Sequence, residues 1–128
     1  MAITKNPDRQ YVLTAKVAFT FADFVGSQGV AIEAIDLPGG ARLVGGQVGI
    51  TTGFDSTTSD VFDIGDGTTA DRYLAAQNVR VAGVFALTGD QLDHATGKGS
   101  VQIEHTAGAA DTATAGAGFL EVNYVIEG

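Results

Sequence analysis

Four aspartates in one short stretch of this sequence are the residues whose type best fits a metal site. Asp60, Asp63, Asp66 and Asp71 surround a glycine turn. Calcium prefers hard oxygen ligands of this kind, but the spacing is not that of an EF-hand loop. In the alternative interpretation, Asp66-Gly67 forms a hairpin-type turn and the other aspartates accept hydrogen bonds from nearby backbone N–H groups. The residues favour the turn and leave calcium open.

The sequence offers little to a transition metal. His94 and His105 are its only histidines, and it has no Cys. Asp90 and Asp93 lie near His94, yet the paired spacings of zinc sites are absent. His105 is on the apolar side of a predicted strand, which indicates a buried, hydrogen-bonded core residue. We therefore expect no metal or other cofactor.

No nucleophile has the sequence context that catalysis requires. A Gly-x-Ser-x-Gly elbow is absent, and Gly97-Lys98-Gly99-Ser100 resembles only the end of a phosphate-binding loop. These patterns predict a protein that is not an enzyme. A small hydrolase or isomerase in a β scaffold stays an alternative, and it requires a pocket with His94 or His105 beside a carboxylate.

The elements that position these residues read as strands. Apolar segments with period-two alternation or β-branched character, separated by Gly, Pro and Asp, predict strands at Tyr11–Phe21, Val30–Leu37, Leu43–Phe54, Asp60–Ile64, Val79–Leu87, Ser100–Thr106 and Phe119–Glu127. Leu43–Phe54 alternates most clearly, with Val44 and Val48 on one face. Its glycines predict bulges or the close approach of another backbone. Val79–Leu87 is expected to be a central strand.

Only one segment has a helical signal. The spacing of Thr68 and Asp71 predicts one or two helical turns within Thr68–Gln77. The sequence thus predicts an all-β protein, an antiparallel β-sandwich that is jelly-roll-like and has at most a short helical turn. We expect a single sandwich domain over residues 11–128, preceded by an N-terminal arm at residues 1–10.

Exposed aromatic side chains would indicate a sugar-binding platform. The strand phenylalanines, including Phe119, are expected in the core, and Tyr11 and Tyr124 in the core or at an interface. Tyr73, beside Arg72, is the aromatic residue expected to be exposed. With no Trp in the chain, the sequence gives a sugar site no positive support.

Composition and charge exclude several partners. The 128 residues have a formal net charge of −8, and such an acidic field disfavours nucleic acid and anionic membranes. No apolar run approaches the roughly 20 residues that span a bilayer, and Met1–Gln10 lacks the apolar region of a signal peptide. We expect synthesis in a cytoplasm. With only 17% charged residues, the surface suits packing against neighbours.

One run of sequence resembles a known family. Phe54-Asp55-Ser56-Thr57-Thr58-Ser59-Asp60-Val61-Phe62-Asp63-Ile64-Gly65-Asp66-Gly67, continuing into Asp71-Arg72-Tyr73-Leu74, is similar to a segment of small structural proteins of tailed bacteriophages. A glycine-rich strand like Leu43–Thr52 precedes that segment in the family, and an Ala/Gly/Thr-rich loop precedes the closing strand. The resemblance implies a virion protein of the capsid decoration (cement) type, with a sandwich fold.

The resemblance also implies partners. Such a protein is made in the host cytoplasm, lies on the capsid surface, bridges major capsid protein subunits and is commonly a homotrimer. No capsid-gripping motif is recognised in Met1–Gln10. Thr106–Gly118 lacks large apolar side chains, so it is either a flexible loop or an arm that a partner orders.

The expected partner interface comprises Ile3, Lys5 and Arg9 of the arm and Ala107, Asp111 and Thr114 of the loop. A tail- or fibre-associated module that binds a host ligand, such as a sugar, is the alternative function. It would be favoured if the acidic loops or Tyr73 formed a concave exposed site.

Overall fold

Eight strands make up most of the computed structural model, which describes residues 11–38, 41–87, 100–108 and 113–126. They are β1 (Leu13–Thr20), β2 (Ala31–Ile35), β3 (Ala41–Thr52), β4 (Asp60–Gly65), β5 (Leu74–Asn78), β6 (Gly83–Ala86), β7 (Val101–Ala107) and β8 (Ala117–Ile126). A single 3₁₀ turn, Phe21–Phe24, follows β1 in the described part of the chain.

The strands form two antiparallel four-stranded sheets. The first sheet has the order β1-β8-β3-β6 and the second has the order β2-β7-β4-β5. Strand β1 pairs with β8, β2 with β7, β3 with β6 and β4 with β5. These are the pairings of one long hairpin, and rolling that hairpin into two facing sheets produces a jelly roll. The predicted all-β, antiparallel, jelly-roll-like sandwich is confirmed.

The core lies between the two sheets, where alternate residues of each strand point inward. Phe62 of β4 and Leu120 of β8 are fully buried from opposite sheets. Phe62 also packs against Phe19 and Phe54, with ring centroids 5.4 and 5.2 Å away in edge-to-face geometry. Each such pair adds about 0.5–1.5 kcal/mol to the gain from burial. This aromatic cluster joins the two sheets.

Strand β3 contains the predicted bulge, and the bulge changes which side chains face inward. Its register against β8 shifts between Leu43 and Gly45. As a result Leu43 is buried and Val44 is exposed, so the expectation that Val44 shares a face with Val48 is wrong. Gly46 has φ +152°, and a Cβ there would lie 2.6 Å from the Glu121 carbonyl oxygen. The predicted close approach of another backbone is confirmed at this position.

Two sequence expectations about elements are wrong. Thr68–Gln77 contains a turn and β5 rather than helix, because the Asp66 side chain accepts the Thr68 and Thr69 N–H groups and closes a hairpin loop. The segment predicted as a central strand is the short strand β6 at the edge of the first sheet. Val84 of β6 is 61% exposed; apolar β-branched sequence alone did not distinguish an edge from a centre.

Candidate functional site

The most enclosed polar groups form a cluster around Asp60, at the start of β4. The Asp60 carboxylate accepts hydrogen bonds from Nε2 of His105 at 2.8 Å, from Nη1 of Arg80 at 3.1 Å and from the Ser56 N–H at 2.9 Å. Asp60 and His105 are both buried, whereas about a third of the Arg80 side chain is exposed. The carboxylate is therefore paired and hydrogen-bonded, as a buried charge must be.

Gln28 fixes which nitrogen of His105 carries the proton. Its Oε1 accepts the Ala107 N–H, so its Nε2 amide is the group that lies 3.1 Å from Nδ1 of His105. An amide N–H₂ only donates, which makes Nδ1 the acceptor and leaves the proton on Nε2, facing Asp60. The prediction that His105 is a buried, hydrogen-bonded core residue is confirmed.

The His105–Asp60 pair is the arrangement that the enzyme alternative required, but it does not lie in a pocket. Phe24, Phe54 and Phe62 surround the imidazole with centroid distances of 5.1–5.8 Å. Both members of the pair are at most 1% exposed. A substrate has no access to either group in this arrangement. His94 lies outside the described residues.

The candidate calcium ligands have separate hydrogen-bond partners. Besides Asp60, Asp63 accepts the Ala76 N–H at 2.7 Å, and Asp66 accepts two backbone N–H groups and pairs with the Arg72 guanidinium. Asp71 is exposed. Within the described ranges, no three His, Asp or Glu side chains group as a metal site would require. Asp60, Asp63 and Asp66 thus accept backbone N–H groups, as the turn interpretation predicts. The geometry adds no support for calcium binding.

Asp66 is a buried carboxylate that stays charged. Burial raises its pKa, but the N–H groups of Thr69 and Thr68 and the guanidinium of Arg72 outweigh burial and hold the pKa below the ordinary value of 3.8. The carboxylate lies within the β4–β5 connection, where it replaces a backbone acceptor. Its role is to fix this loop.

Two of the expected interface residues, Ala107 and Thr114, lie within the described part of the chain and form hydrogen bonds inside the fold. The Ala107 N–H is used within the fold by Gln28, and Thr114 donates from its N–H and its hydroxyl to Asp55 at 2.7 and 2.9 Å. The N–H groups of Thr114 and Ala115, with the Thr114 hydroxyl, lower the pKa of Asp55. These contacts hold the approach to β8 against the β3–β4 connection. The other expected interface residues, Ile3, Lys5, Arg9 and Asp111, lie outside the described residues.

One tyrosine expectation is wrong. Tyr73 is fully buried and its N–H donates to the Ile64 carbonyl at 2.8 Å, so it offers no exposed platform. The β4–β5 hairpin is the reason, because it places the Tyr73 side chain in the core. Tyr11, expected in the core or at an interface, is 72% exposed, so it is not a core residue and its place at an interface stays a prediction.

The outer face of the first sheet has an apolar row that sequence reasoning missed. The backbone register places Ala18 opposite Phe119, Phe119 opposite Gly49, and Gly49 opposite Val84, across all four strands. The half-buried ring of Phe119 lies over Gly49, and Lys16 Nζ is 4.4 Å from its centroid. Phe119 was expected in the core, but its strand parity points it outward. The alternation of Phe119 with the buried Leu120 is a local signal for its outward direction, but only cross-strand register shows that Ala18, Phe119 and Val84 form one row.

The outer face of the second sheet is acidic. Asp63 of β4 lies directly opposite Glu104 of β7. Glu33 of β2 is the diagonal neighbour of Glu104 on the other side of β7. Strands β2, β4, β5 and β7 contain no Lys or Arg. Like charges directly opposite each other destabilise a sheet. The same negative charges make this face repel anionic partners. The two faces of the sandwich therefore have different chemistry.

A groove opens along the side of the sandwich where β1 and β2 form the sheet edges. It has a volume of about 280 Å³, and apolar side chains of both strands line it, including Val17 and Ile32. Ile103 forms part of its wall, and Asp23 and Glu33 are its charged lining residues. An apolar groove bordered by carboxylates between two strand edges is a candidate binding site.

The described part of the chain includes no helix long and apolar enough to cross a membrane. In the described part of the chain, the jelly roll encloses its Asp60–His105 pair, and its candidate sites are the two outer faces and the groove between β1 and β2.

Structures with the same fold belong to phage capsids. A chain of the cyanophage Pam1 capsid asymmetric unit matches with a TM-score of 0.73 and 21% identity, covering 99% of this chain and 93% of that one. A chain of the Ralstonia phage GP4 capsid matches with a TM-score of 0.71 and 23% identity, covering 99% and 92%. A chain of the acid-stable capsid of Helicobacter pylori bacteriophage KHP30 gives 0.66 and 21%, covering 90% and 87%.

At these identities the likeness establishes a shared fold. No protein-family model matches the sequence, and no curated protein matches it.

Proposed function

We propose that this protein is a structural component of a phage virion, of the decoration type, which stabilises the capsid by bridging major capsid subunits. The observation that carries the proposal is the likeness of almost the whole chain to chains of three phage capsid structures. The Asp60–His105 pair, which is at most 1% exposed and closed to a substrate, agrees with a structural role.

The outer face of the first sheet is the surface that suits contact with the shell. Val84 is 61% exposed on the edge strand β6, and it continues the row formed by Ala18 and Phe119. Burying such a side chain in an interface yields about 1.5–3 kcal/mol. Many repeated copies then add up to firm attachment, although each contact is modest.

Charge supports the same orientation. Asp63 and Glu104 lie opposite each other on the acidic outer face of the second sheet. Burying these carboxylates against a surface that lacks cations would cost free energy, because they would lose their hydration. Facing solvent, these carboxylates keep their hydration and add to solubility. The sandwich therefore places its first sheet toward the shell and its second sheet outward.

The test is sedimentation of purified protein with undecorated phage shells. The proposal predicts saturable binding at a copy number set by shell symmetry, and a homotrimer predicts three copies per three-fold site. Val84→Lys should weaken binding at least tenfold, because it places a charge in the contact. Since Val84 is exposed, the variant should keep the wild-type unfolding midpoint.

Asp71→Lys is the matched control, because it adds a lysine at an exposed position away from the first sheet. It should bind like the wild type. Absence of binding by a correctly folded wild-type protein to shells from a range of tailed phages would contradict the decoration role. The tail- or fibre-associated sugar-binding alternative has lost its main candidate, since Tyr73 is buried.

A further inference from the structure

The groove between β1 and β2 has an apolar lining, a free strand edge and an acidic border in one place. We propose that it receives the extended N-terminal segment Ala2–Asn6 of a second copy of this chain, added as a strand to the edge of β1. This concerns self-association and goes beyond the capsid role, which it does not require.

The edge of β1 offers backbone groups to an added strand. Among the described residues β1 pairs on one side only, with β8. Phe21 donates its N–H to the Gly116 carbonyl in the same register, and hydrogen-bonded positions alternate along an antiparallel pair. The backbone groups of Lys16 and Ala18 therefore point away from β8, toward the open edge. The Thr20 N–H points the same way, and the Asp23 carboxylate accepts it at 2.8 Å.

The lining selects the side chains of the added strand. Alternate residues of that strand would point between the sheets, toward Ile32 and Ile103, where an aliphatic side chain fits. The next inward position approaches Asp23, which lines the groove near the end of β1, and favours a cation. Ile3 and Lys5 have this i, i+2 relation in the sequence.

The charges favour a segment from another copy over the chain's own segment. A segment that folds back on β1 from the same chain makes a hairpin and must run antiparallel, so Lys5 would lie toward the start of β1. That direction leads to Lys16 and away from Asp23, which follows the end of the strand. A segment from a second copy can run parallel to β1 and bring Lys5 to Asp23.

This contact is heterologous, since the donor surface differs from the acceptor surface. Heterologous contacts close into rings when the rotation between copies permits. A closed ring would leave every groove filled and every segment bound.

The absence of Cys from the sequence allows a direct test by disulfide formation in the full chain. One preparation has Ile3→Cys and the other has Ala34→Cys, a residue that lines the groove. After mixing and oxidation, we expect the mixed disulfide at least tenfold above the yield with Ala75→Cys. Ala75 is an exposed alanine of β5, at the opposite edge of the second sheet.

Equal yields with Ala34→Cys and Ala75→Cys would overturn the proposal. So would a chain with both Ile3→Cys and Ala34→Cys that forms its disulfide only within itself, because that result identifies the chain's own segment as the occupant. In the same assay Lys5→Glu should lower the mixed yield several-fold, because it places a second carboxylate beside Asp23.

Discussion

At the scale of single residues, Asp60 and His105 determine how the polar centre is tolerated inside an aromatic core. Asp60 is fully buried and depends on the imidazole, the Arg80 guanidinium and the Ser56 N–H for its hydrogen bonds. Losing one partner leaves a buried charge under-compensated, which costs more than the pair contributes. The cluster therefore makes β4 and β7 mutually dependent.

His105→Leu should lower the free energy of unfolding by about 1.5–3 kcal/mol, the range for losing a hydrogen bond to a charged group. Urea unfolding measures the difference. Asp71→Ala is the control: Asp71 is exposed, and its replacement should change stability by less than about 0.5 kcal/mol. A loss below 1 kcal/mol for His105→Leu would show that Asp60 does not need the imidazole.

Asp66 should contribute a pH-dependent part of stability. Its folded pKa lies below 3.8, because the N–H groups of Thr68 and Thr69 and the Arg72 guanidinium outweigh burial. The contribution is therefore complete above the unfolded value, and it is lost as the pH falls through the folded pKa. At pH 7, Asp66→Ala should cost about 1–3 kcal/mol.

The cost of Asp66→Ala should shrink below about pH 4, as the wild-type carboxylate takes up its proton. Urea unfolding at a series of pH values measures the difference in free energy of unfolding between the wild type and Asp66→Ala. Asp71→Ala is the reference for a general charge effect. If this difference in free energy stayed constant from pH 7 to pH 2, the charge of the Asp66 carboxylate would not contribute to the stability of the loop.

At the scale of elements, β3 and β8 lie so close together that glycine is required. A Cβ at Gly118 would lie 2.1 Å from the Gly49 carbonyl oxygen, which is backbone. A Cβ at Gly49 would meet the Phe119 ring instead, the far end of a half-buried side chain that can rotate outward. The same substitution should therefore have different effects at the two positions.

Gly118→Ala should destabilise the protein by about 1–3 kcal/mol, since the backbone of β8 must move from β3. Gly49→Ala should cost less, and near-ultraviolet circular dichroism should report a changed Phe119 environment. Chemical unfolding of both variants supplies the comparison. A larger loss of stability for Gly49→Ala than for Gly118→Ala would contradict the close approach of the β3 and β8 backbones.

Strand periodicity in the sequence was sufficient to predict most elements, because alternation reflects burial on one side of a sheet. The glycines of β3 predicted its bulge and the close approach of another backbone. It did not predict the edge position of β6 or the burial of Tyr73. Both depend on which strand lies beside which, and pairing in a jelly roll joins residues far apart in sequence. The row from Ala18 through Phe119 to Val84 was missed for the same reason.

At the scale of the whole molecule, the two faces of the sandwich divide its roles. The first sheet presents an apolar row with Phe119 at its centre, whereas the second presents carboxylates at Glu33, Asp63 and Glu104. A domain with one partly apolar outer face, one acidic outer face and a buried polar pair suits attachment to a larger assembly. This asymmetry connects the fold shared with phage capsid chains to the proposed decoration role.

The most direct measurement of that role is a cryo-electron microscopy reconstruction of undecorated phage shells after incubation with the protein. The decoration role predicts added density at repeated sites between major capsid subunits, into which this sandwich fits with its first sheet against the shell. Density with the acidic sheet inward would contradict the assigned face. Bare shells, despite folded protein in excess over the available sites, would contradict the decoration role itself.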